Sequence, residues 1–285
     1  MSKLAGNGCD VTIPTTERVS LSEIERRLIT KYRRSLWSKF IQAIKEYELI
    51  NEGDRVAVAI SGGKDSLVLA KLIQELERHG PVKFEAKFIS MDPGYLTEIK
   101  ELHLDNCEYL QIPLTFFESR IFDIVDNIAA DYPCYMCAKM RRGALYSKAQ
   151  ELGCNKLALG HHLDDVIETT MLNLLLAGCF KTMLPKLKSQ NFEGLELIRP
   201  LYHVREEHIE DFVKDCGLTP LNCACIVSAG KTANKRYDIK NLIKNLSQDY
   251  QQVEKSIFSA AKNVQLDCVL GWKKDGKVHS FLDDY

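Results

Sequence analysis

Residues 55–60, RVAVAI, carry five apolar side chains in a row after a single arginine, with no polar alternation. A strand with one wet face alternates, whereas a strand covered on both faces reads as a continuous apolar run. Such a strand belongs inside a parallel sheet, and parallel neighbours need long crossovers, usually helices. The rest of the chain supplies them. Apolar runs at 84–91, 112–117, 156–159 and 195–199 read as further strands. Helical patterns at 67–76, 95–107, 121–130, 141–152, 164–176 and 206–216 accompany them. This alternation predicts an α/β fold built on a doubly wound, mostly parallel sheet.

Ahead of the first strand, residues 1–19 are polar and read as an arm. Ser20 and Glu23 have capping-box spacing. Ile24, Leu28, Tyr32, Leu36, Phe40 and Ile44 then recur every four residues, which predicts one long helix with a single apolar stripe. Residues 237–264 carry only helical patterns. The expected division is an arm and helix at 1–50, a sheet domain at 51–230 and a helical extension at 231–285. Basic and acidic residues number 38 and 39, for a net charge of −1. That excludes a uniformly basic nucleic-acid wrapper and an acidic disordered tail. No apolar run approaches the roughly 18 residues of a membrane helix, and the first ten residues lack the apolar core of an export signal. The expectation is a soluble, cytoplasmic protein with no membrane partner.

The loop after the 55–60 run is Ser61-Gly62-Gly63-Lys64-Asp65-Ser66. Two glycines let the backbone approach an anion closely. The helix that follows points unpaired N–H groups and the positive end of its dipole at the loop. Lys64 adds a point charge, and the two serines add hydroxyls. The order differs from the Walker A pattern. It resembles the S-G-G-x-D-S signature of the PP-loop ATP pyrophosphatases, which cleave ATP between the α and β phosphates. That resemblance implies ATP bound at Ala59, Ser61, Gly62, Gly63, Lys64, Asp65 and Ser66. It also implies a PP-loop ATPase domain over 51–230.

A second element, Gly160-His161-His162-Leu163-Asp164-Asp165, follows the run at 156–159 and opens a helix. Ligands bind at this kind of strand end in open α/β sheets. Paired aspartates there suit Mg²⁺, which takes one or two carboxylates and keeps phosphates and water as its other ligands. The segment resembles the G-H-x-x-D-D element of the tRNA-modifying PP-loop enzymes. By that resemblance Asp164 and Asp165 are catalytic, and Gly160 and His161 contact the nucleotide.

Ten cysteines complete the picture. Six are scattered and read as small buried hydrophobes. Four are clustered: Cys134 and Cys137 in Pro133-Cys134-Tyr135-Met136-Cys137, then Cys223 and Cys225. Two thiols three residues apart at a helix mouth suit one metal. With Arg141-Arg142-Gly143 downstream, and Arg199-Pro200-Leu201 further on, the segment resembles the tRNA 2-thiocytidine synthetases. That family holds a [4Fe-4S] cluster on three cysteines, which here implies Cys134, Cys137 and Cys223. Three thiolates leave one iron open to carry sulfur. A zinc site made of Cys134, Cys137, Cys223 and Cys225 is the competing reading.

Three segments are locally basic: 26–45, 138–148 with four cations and no acid, and 231–244 with five cations and one acid. Such segments suit a phosphate-contacting face. The resemblance therefore implies an ATP-dependent tRNA sulfurtransferase that adenylates C2 of a cytidine, at position 32, and replaces its oxygen by sulfur. Its partners are tRNA and a sulfur donor, either a cysteine desulfurase or sulfide, and a homodimer is compatible with the chain. Competing readings are a tRNA 2-thiouridine synthetase, a PP-loop synthetase acting on a small molecule, and a nucleotide-binding iron–sulfur redox sensor.

Overall fold

The computed structural model describes residues 17–92, 95, 97–119, 133–221, 232–283 and 285, with the backbone alone for 133–138 and 232–234. The strands are β1 (Arg55–Ala59), β2 (Glu85–Asp92), β3 (Leu114–Glu118), β4 (Lys156–Ala158), β5 (Lys186–Lys188) and β6 (Glu196–Ile198). They form one sheet in the order β3-β2-β1-β4-β6-β5. All pairs are parallel except β5 with β6, which closes the edge antiparallel. The helices are α1 (Leu21–Ile29), α2 (Ser38–Glu46), α3 (Lys64–His79), α4 (Thr97–Tyr109), α5 (Pro133–Glu151), α6 (Leu163–Leu176), α7 (Glu206–Asp215), α8 (Thr232–Asp249) and α9 (Val253–Ala260). The α/β architecture is the one the apolar pattern predicts. The helix expected at 121–130 lies outside the described residues. Among the described residues no helix is long and apolar enough to cross a membrane.

The apolar run is buried for the reason its composition suggests. On one side of the sheet, Ala57, Ala59, Ile89, Leu157 and Leu197 pack with Tyr146 and Ala149 of α5. Tyr146 also stacks on Phe192 with centroids 5.3 Å apart. α3 is buried from Ser66 to Leu76, including Lys71, whose ammonium bonds Glu25 of α1 at 2.8 Å. The chain divides into two compact units, Met1–Val166 with Leu184–Tyr237, and Ile167–Met183 with Asp238–Tyr285. The six-stranded sheet lies in the first.

The N-terminal stripe is more subtle than one helix. Repeating every four residues overshoots an α-helical turn by about 40° per step, so five steps would carry the stripe about 200° around a straight helix. Yet Ile24, Leu28, Tyr32, Leu36, Phe40 and Ile44 are all buried. The helix breaks at Thr30, and residues Arg33–Trp37 form a π-helical turn before α2. The Tyr32 N–H donates to Arg27 O at 2.9 Å and the Trp37 N–H to Tyr32 O at 3.4 Å, both five residues back. A wider turn holds more residues, which keeps the four-residue repeat on the core side.

Strand order sets where ligands go. From β1 the chain steps outward to β2 and β3, then crosses back to β4 on the other side of β1. A crevice opens outside the carboxyl ends of the strands at such a switch point. The two loops entering it are 60–66 and 159–165.

Candidate active site

In the first loop Gly62 has φ +81°, the left-handed region that favours glycine. A Cβ there would stand 2.6 Å from Leu221 Cδ1 and 2.7 Å from His103 Nδ1. The Leu221 N–H also donates to Gly62 O at 2.9 Å, pinning the turn from across the fold. Both serines shape the loop. Ser66 Oγ accepts from the Ser61 N–H at 3.2 Å and donates to Gly63 O at 2.8 Å, while Ser61 Oγ lies 3.2 Å from Ser66 Oγ. No side chain caps α3 at Gly63, so its first-turn N–H groups are available to an anion.

The second loop lies against the first. A Cβ on Gly160 would meet the backbone of Asp65 and Ser66 at 3.2 Å, so a larger residue would push the loops a few tenths of an ångström apart. His162 is buried between carboxylates. Its Nε2 lies 3.5 Å from Asp165 Oδ2 and 3.9 Å from Asp65 Oδ1, and its Nδ1 is 3.7 Å from Asp164 Oδ2. The His162 N–H donates to Asp165 Oδ2 at 3.1 Å.

The two aspartates then diverge. Asp165 lines the pocket and has Arg236 3.5 Å from its Oδ1. Asp164 turns to the start of α7: its Oδ2 accepts the Glu206 N–H at 2.7 Å, and Arg205 stands 3.3 Å from its Oδ1. Glu206 reaches back with its side chain to Lys64, Oε1 to Nζ at 2.9 Å. One residue at the head of α7 thus ties Asp164 of the second loop to Lys64 of the first.

Between the loops is a pocket of about 320 Å³. Ala59, Ser61, Asp65, Ser66, Gly160, His161 and Asp165 line it, as expected, together with Met91 of β2, Tyr95 just beyond it, and Arg141 and Leu145 of α5, whereas Gly62, Gly63 and Lys64 of the first loop are not among its lining residues. Burial pushes the Asp65 carboxyl above the usual carboxylate range, against the pull of Lys64 and His162. Burial draws Lys64 down, but Asp65 and Glu206 more than reverse it, so the ammonium is held charged. Burial lowers His161 to about 4, so the ring is neutral near pH 7. Arg199 falls to about 10 through burial, with Arg142 as a second cause.

The pocket's chemistry fits a nucleotide triphosphate. It joins hydroxyls of Ser61 and Ser66, the carboxyls of Asp65 and Asp165, the Arg141 cation and an apolar wall of Ile60, Met91, Leu145 and Leu159. Asp65 Oδ1 and His161 Nδ1 are buried there without a hydrogen bond among the described residues. No three His, Cys, Asp or Glu side chains among the described residues converge on a metal position. Asp65 and Asp165 are two carboxylates near one another, the number Mg²⁺ takes alongside phosphates.

The cysteines enter through α5. A helix that feeds a parallel strand runs antiparallel to it, so α5 starts at the carboxyl edge of the sheet, where the loops are. Its first turns hold Cys134 and Cys137. At 1.5 Å per residue, Cys137 is about 6 Å along the axis from Arg141. Cys223 and Cys225 lie outside the described residues.

Met91, Tyr95, Arg205, Glu206 and Arg236 were not signalled by any motif. Arg205, Glu206 and Arg236 meet Asp164, Lys64 and Asp165 only through the fold. The basic segment 26–45 is partly neutralised, since Arg26 and Arg27 both bond Glu23 and Lys31 pairs with Asp215. Arg33, Arg34, Lys39 and Lys45 are exposed.

A PP-loop domain family matches residues 33–221. The tRNA-cytidine(32) 2-sulfurtransferase of Pelobacter propionicus is 37% identical over 252 residues, covering 87% of this chain and 92% of that protein. Its counterpart from Geotalea uraniireducens is 39% identical over 246 residues, covering 85% and 94%. Among solved structures, the U34-tRNA thiolase NcsA from Methanococcus maripaludis, with its [4Fe-4S] cluster, has a TM-score of 0.62 at 20% identity. The match covers 93% of this chain and 90% of that one, a likeness of fold.

Proposed function

Because the chain belongs to the PP-loop family that contains the tRNA-cytidine(32) 2-sulfurtransferases, we propose that it thiolates C2 of cytidine 32 in tRNA at the expense of ATP. The observation that carries this reading is the course of α5. Arg141 and Leu145 line the nucleotide pocket, and the same helix begins with Cys134 and Cys137. A sulfur-carrying centre held there would adjoin the pocket where the base is activated.

ATP lies with its β and γ phosphates over Gly62, Gly63 and the first turn of α3, facing Lys64. The cytidine C2 oxygen attacks the α-phosphorus, the bond to the β-phosphate oxygen breaks, and pyrophosphate departs into the cradle. Lys64 and the α3 N–H groups stabilise the charge on that leaving group. Asp65 and Asp165 would supply carboxylates for Mg²⁺, which would offset phosphate charge. His161, neutral through burial, leaves the pocket without an added cation near the base. Cys134, Cys137 and Cys223 would hold a [4Fe-4S] cluster, which would supply sulfur to replace the activated oxygen, with AMP as the leaving group. Sulfide balances this exchange directly, whereas persulfide sulfur from a cysteine desulfurase would need a two-electron thiol reductant as co-reactant.

Mass spectrometry of tRNA nucleosides from a strain lacking this chain tests the reading. The expected result is loss of 2-thiocytidine, restored by the wild-type chain and not by Cys134→Ala. Unchanged 2-thiocytidine with another thionucleoside missing would move the substrate to a different base. An intact set of thionucleosides would end the reading.

A further inference from the structure

The second unit contains an antiparallel hairpin, β7 (Gly271–Lys274) and β8 (Lys277–Ser280), joined by Asp275-Gly276. Both turn residues have positive φ, 50° and 77°, which is the two-residue turn that Asp-Gly favours. In the register Trp272 faces His279 and Lys274 faces Lys277. Cross-strand partners share a face, as do residues two apart along a strand. One face of the hairpin therefore carries Trp272, His279, Lys274 and Lys277 together.

Two features define that face, an aromatic pair that itself supports the hairpin and a rung of like charges that does not. The Trp272 and His279 rings lie parallel, 7° apart in plane and 5.1 Å between centroids, as a half-buried aromatic platform. Beside it two lysines oppose each other directly, an arrangement that weakens a hairpin. Neither has an ion-pair partner among the described residues. Lys273 adds a third cation on the opposite face, and Asp275 is the hairpin's sole carboxylate. The rung of lysines is about 7 Å along the strand from the ring pair, within the span of one nucleotide.

We propose that this face of the β7–β8 hairpin is an RNA-contact surface, on which an unpaired tRNA base stacks against the Trp272–His279 pair and neighbouring phosphates neutralise Lys274 and Lys277. The inference rests on the tRNA reading above. Every base offers a π-face to an aromatic platform, and phosphates relieve the repulsion that the opposed lysines impose. An apolar protein partner would instead desolvate both ammonium groups without pairing them.

The test uses the full-length chain and an unmodified tRNA transcript bearing cytidine 32, with affinity measured by fluorescence anisotropy across a KCl series. The double variant Lys274→Gln/Lys277→Gln should bind about tenfold more weakly, with a log–log salt slope shallower by about 1.4–1.8 for two lost phosphate contacts. Trp272→Ala should also lose about tenfold, with the slope unchanged, because stacking releases no counterions. Lys274→Arg/Lys277→Arg should retain both affinity and slope. The glutamine pair removes a repulsion, so weaker binding cannot be put down to an unfolded hairpin. ATP binding measured without tRNA should be the same in all variants. A glutamine double variant that matches the wild type in affinity and slope overturns the proposal while leaving the tRNA reading intact. A wild-type chain that does not bind the transcript overturns both.

Discussion

The loops after β1 and β4 begin alike, each leaving a buried parallel strand and opening a helix, and they hold their chemistry in different ways. The first is a backbone device. Its glycine turns with positive φ, its serines are spent on loop hydrogen bonds, and the uncapped start of α3 remains. The second is a side-chain device, a histidine set among carboxylates and tied outward to Arg205, Glu206 and Arg236. A backbone cradle needs a few residues in the right order. A side-chain network needs distant segments to arrive, and its members' roles are settled by what they meet.

If the first loop is the phosphate cradle, its lysine should matter most. Lys64→Ala is expected to lower pyrophosphate release by about 10²–10³, the scale for removing one preorganised donor to developing charge. Thermal unfolding should shift by only a few degrees, because Lys64 is half-buried and its partners Asp65 and Glu206 retain access to water. Steady-state pyrophosphate assays beside calorimetry would check this. Normal turnover in a well-folded variant would leave the loop a tight turn and erase the contrast.

In the second loop the larger effect belongs to Asp165, which faces the pocket. Asp165→Asn should reduce turnover by roughly 10–100-fold and change the ATP KM little, because a carboxylate aimed at phosphates repels them in the ground state as well. A rise in KM with unchanged turnover would make Asp165 a binding residue and bring the second loop closer to the first.

The same contrast explains what could be read in advance. The sheet and the cradle follow from contiguous residues: an unbroken apolar run, then Gly-Gly-Lys before a helix. The Lys64–Glu206 pair spans 142 residues, and Asp164 meets Glu206 across 42, so no local pattern announces either. The four-residue repeat at 24–44 is visible, but its geometric consequence, the π-turn at Arg33–Trp37, appears only when turn angles are summed. The hairpin at 271–280 corrects the helical extension expected over 231–285: residues 232–260 hold α8 and α9, but Asp275-Gly276 turns the chain back on itself between two strands. β5 was not legible, because three residues, Lys-Leu-Lys, at a sheet edge carry almost no periodicity. The cysteine ligands rest on sequence resemblance, strengthened by where α5 begins.

The smallest expected effect separates the two aspartates that sequence presents as a pair. Asp164 Oδ2 accepts the Glu206 N–H, which caps α7 from another segment, and its Oδ1 faces Arg205. Asn at this position keeps a carbonyl oxygen for the N–H and loses only the charge opposite a partly exposed arginine. Asp164→Asn should therefore cost about 1 kcal/mol or less in stability. Turnover should fall about threefold, passed on through a slight loosening of Glu206 and hence of Lys64. Asp164→Ala removes the acceptor and should cost about 1–2 kcal/mol, since the Glu206 N–H is left to water or to nothing. Chemical denaturation gives the stabilities, and pyrophosphate release gives the rates. The diagnostic is the order of the two effects: Asp164 variants lose stability with little rate, Asp165 variants lose rate with little stability. Were Asp164→Asn to match Asp165→Asn in lost turnover at unchanged stability, both carboxylates would act on the phosphates. The second loop would then be a paired metal site, and the division of labour read from the hydrogen bonds would not hold.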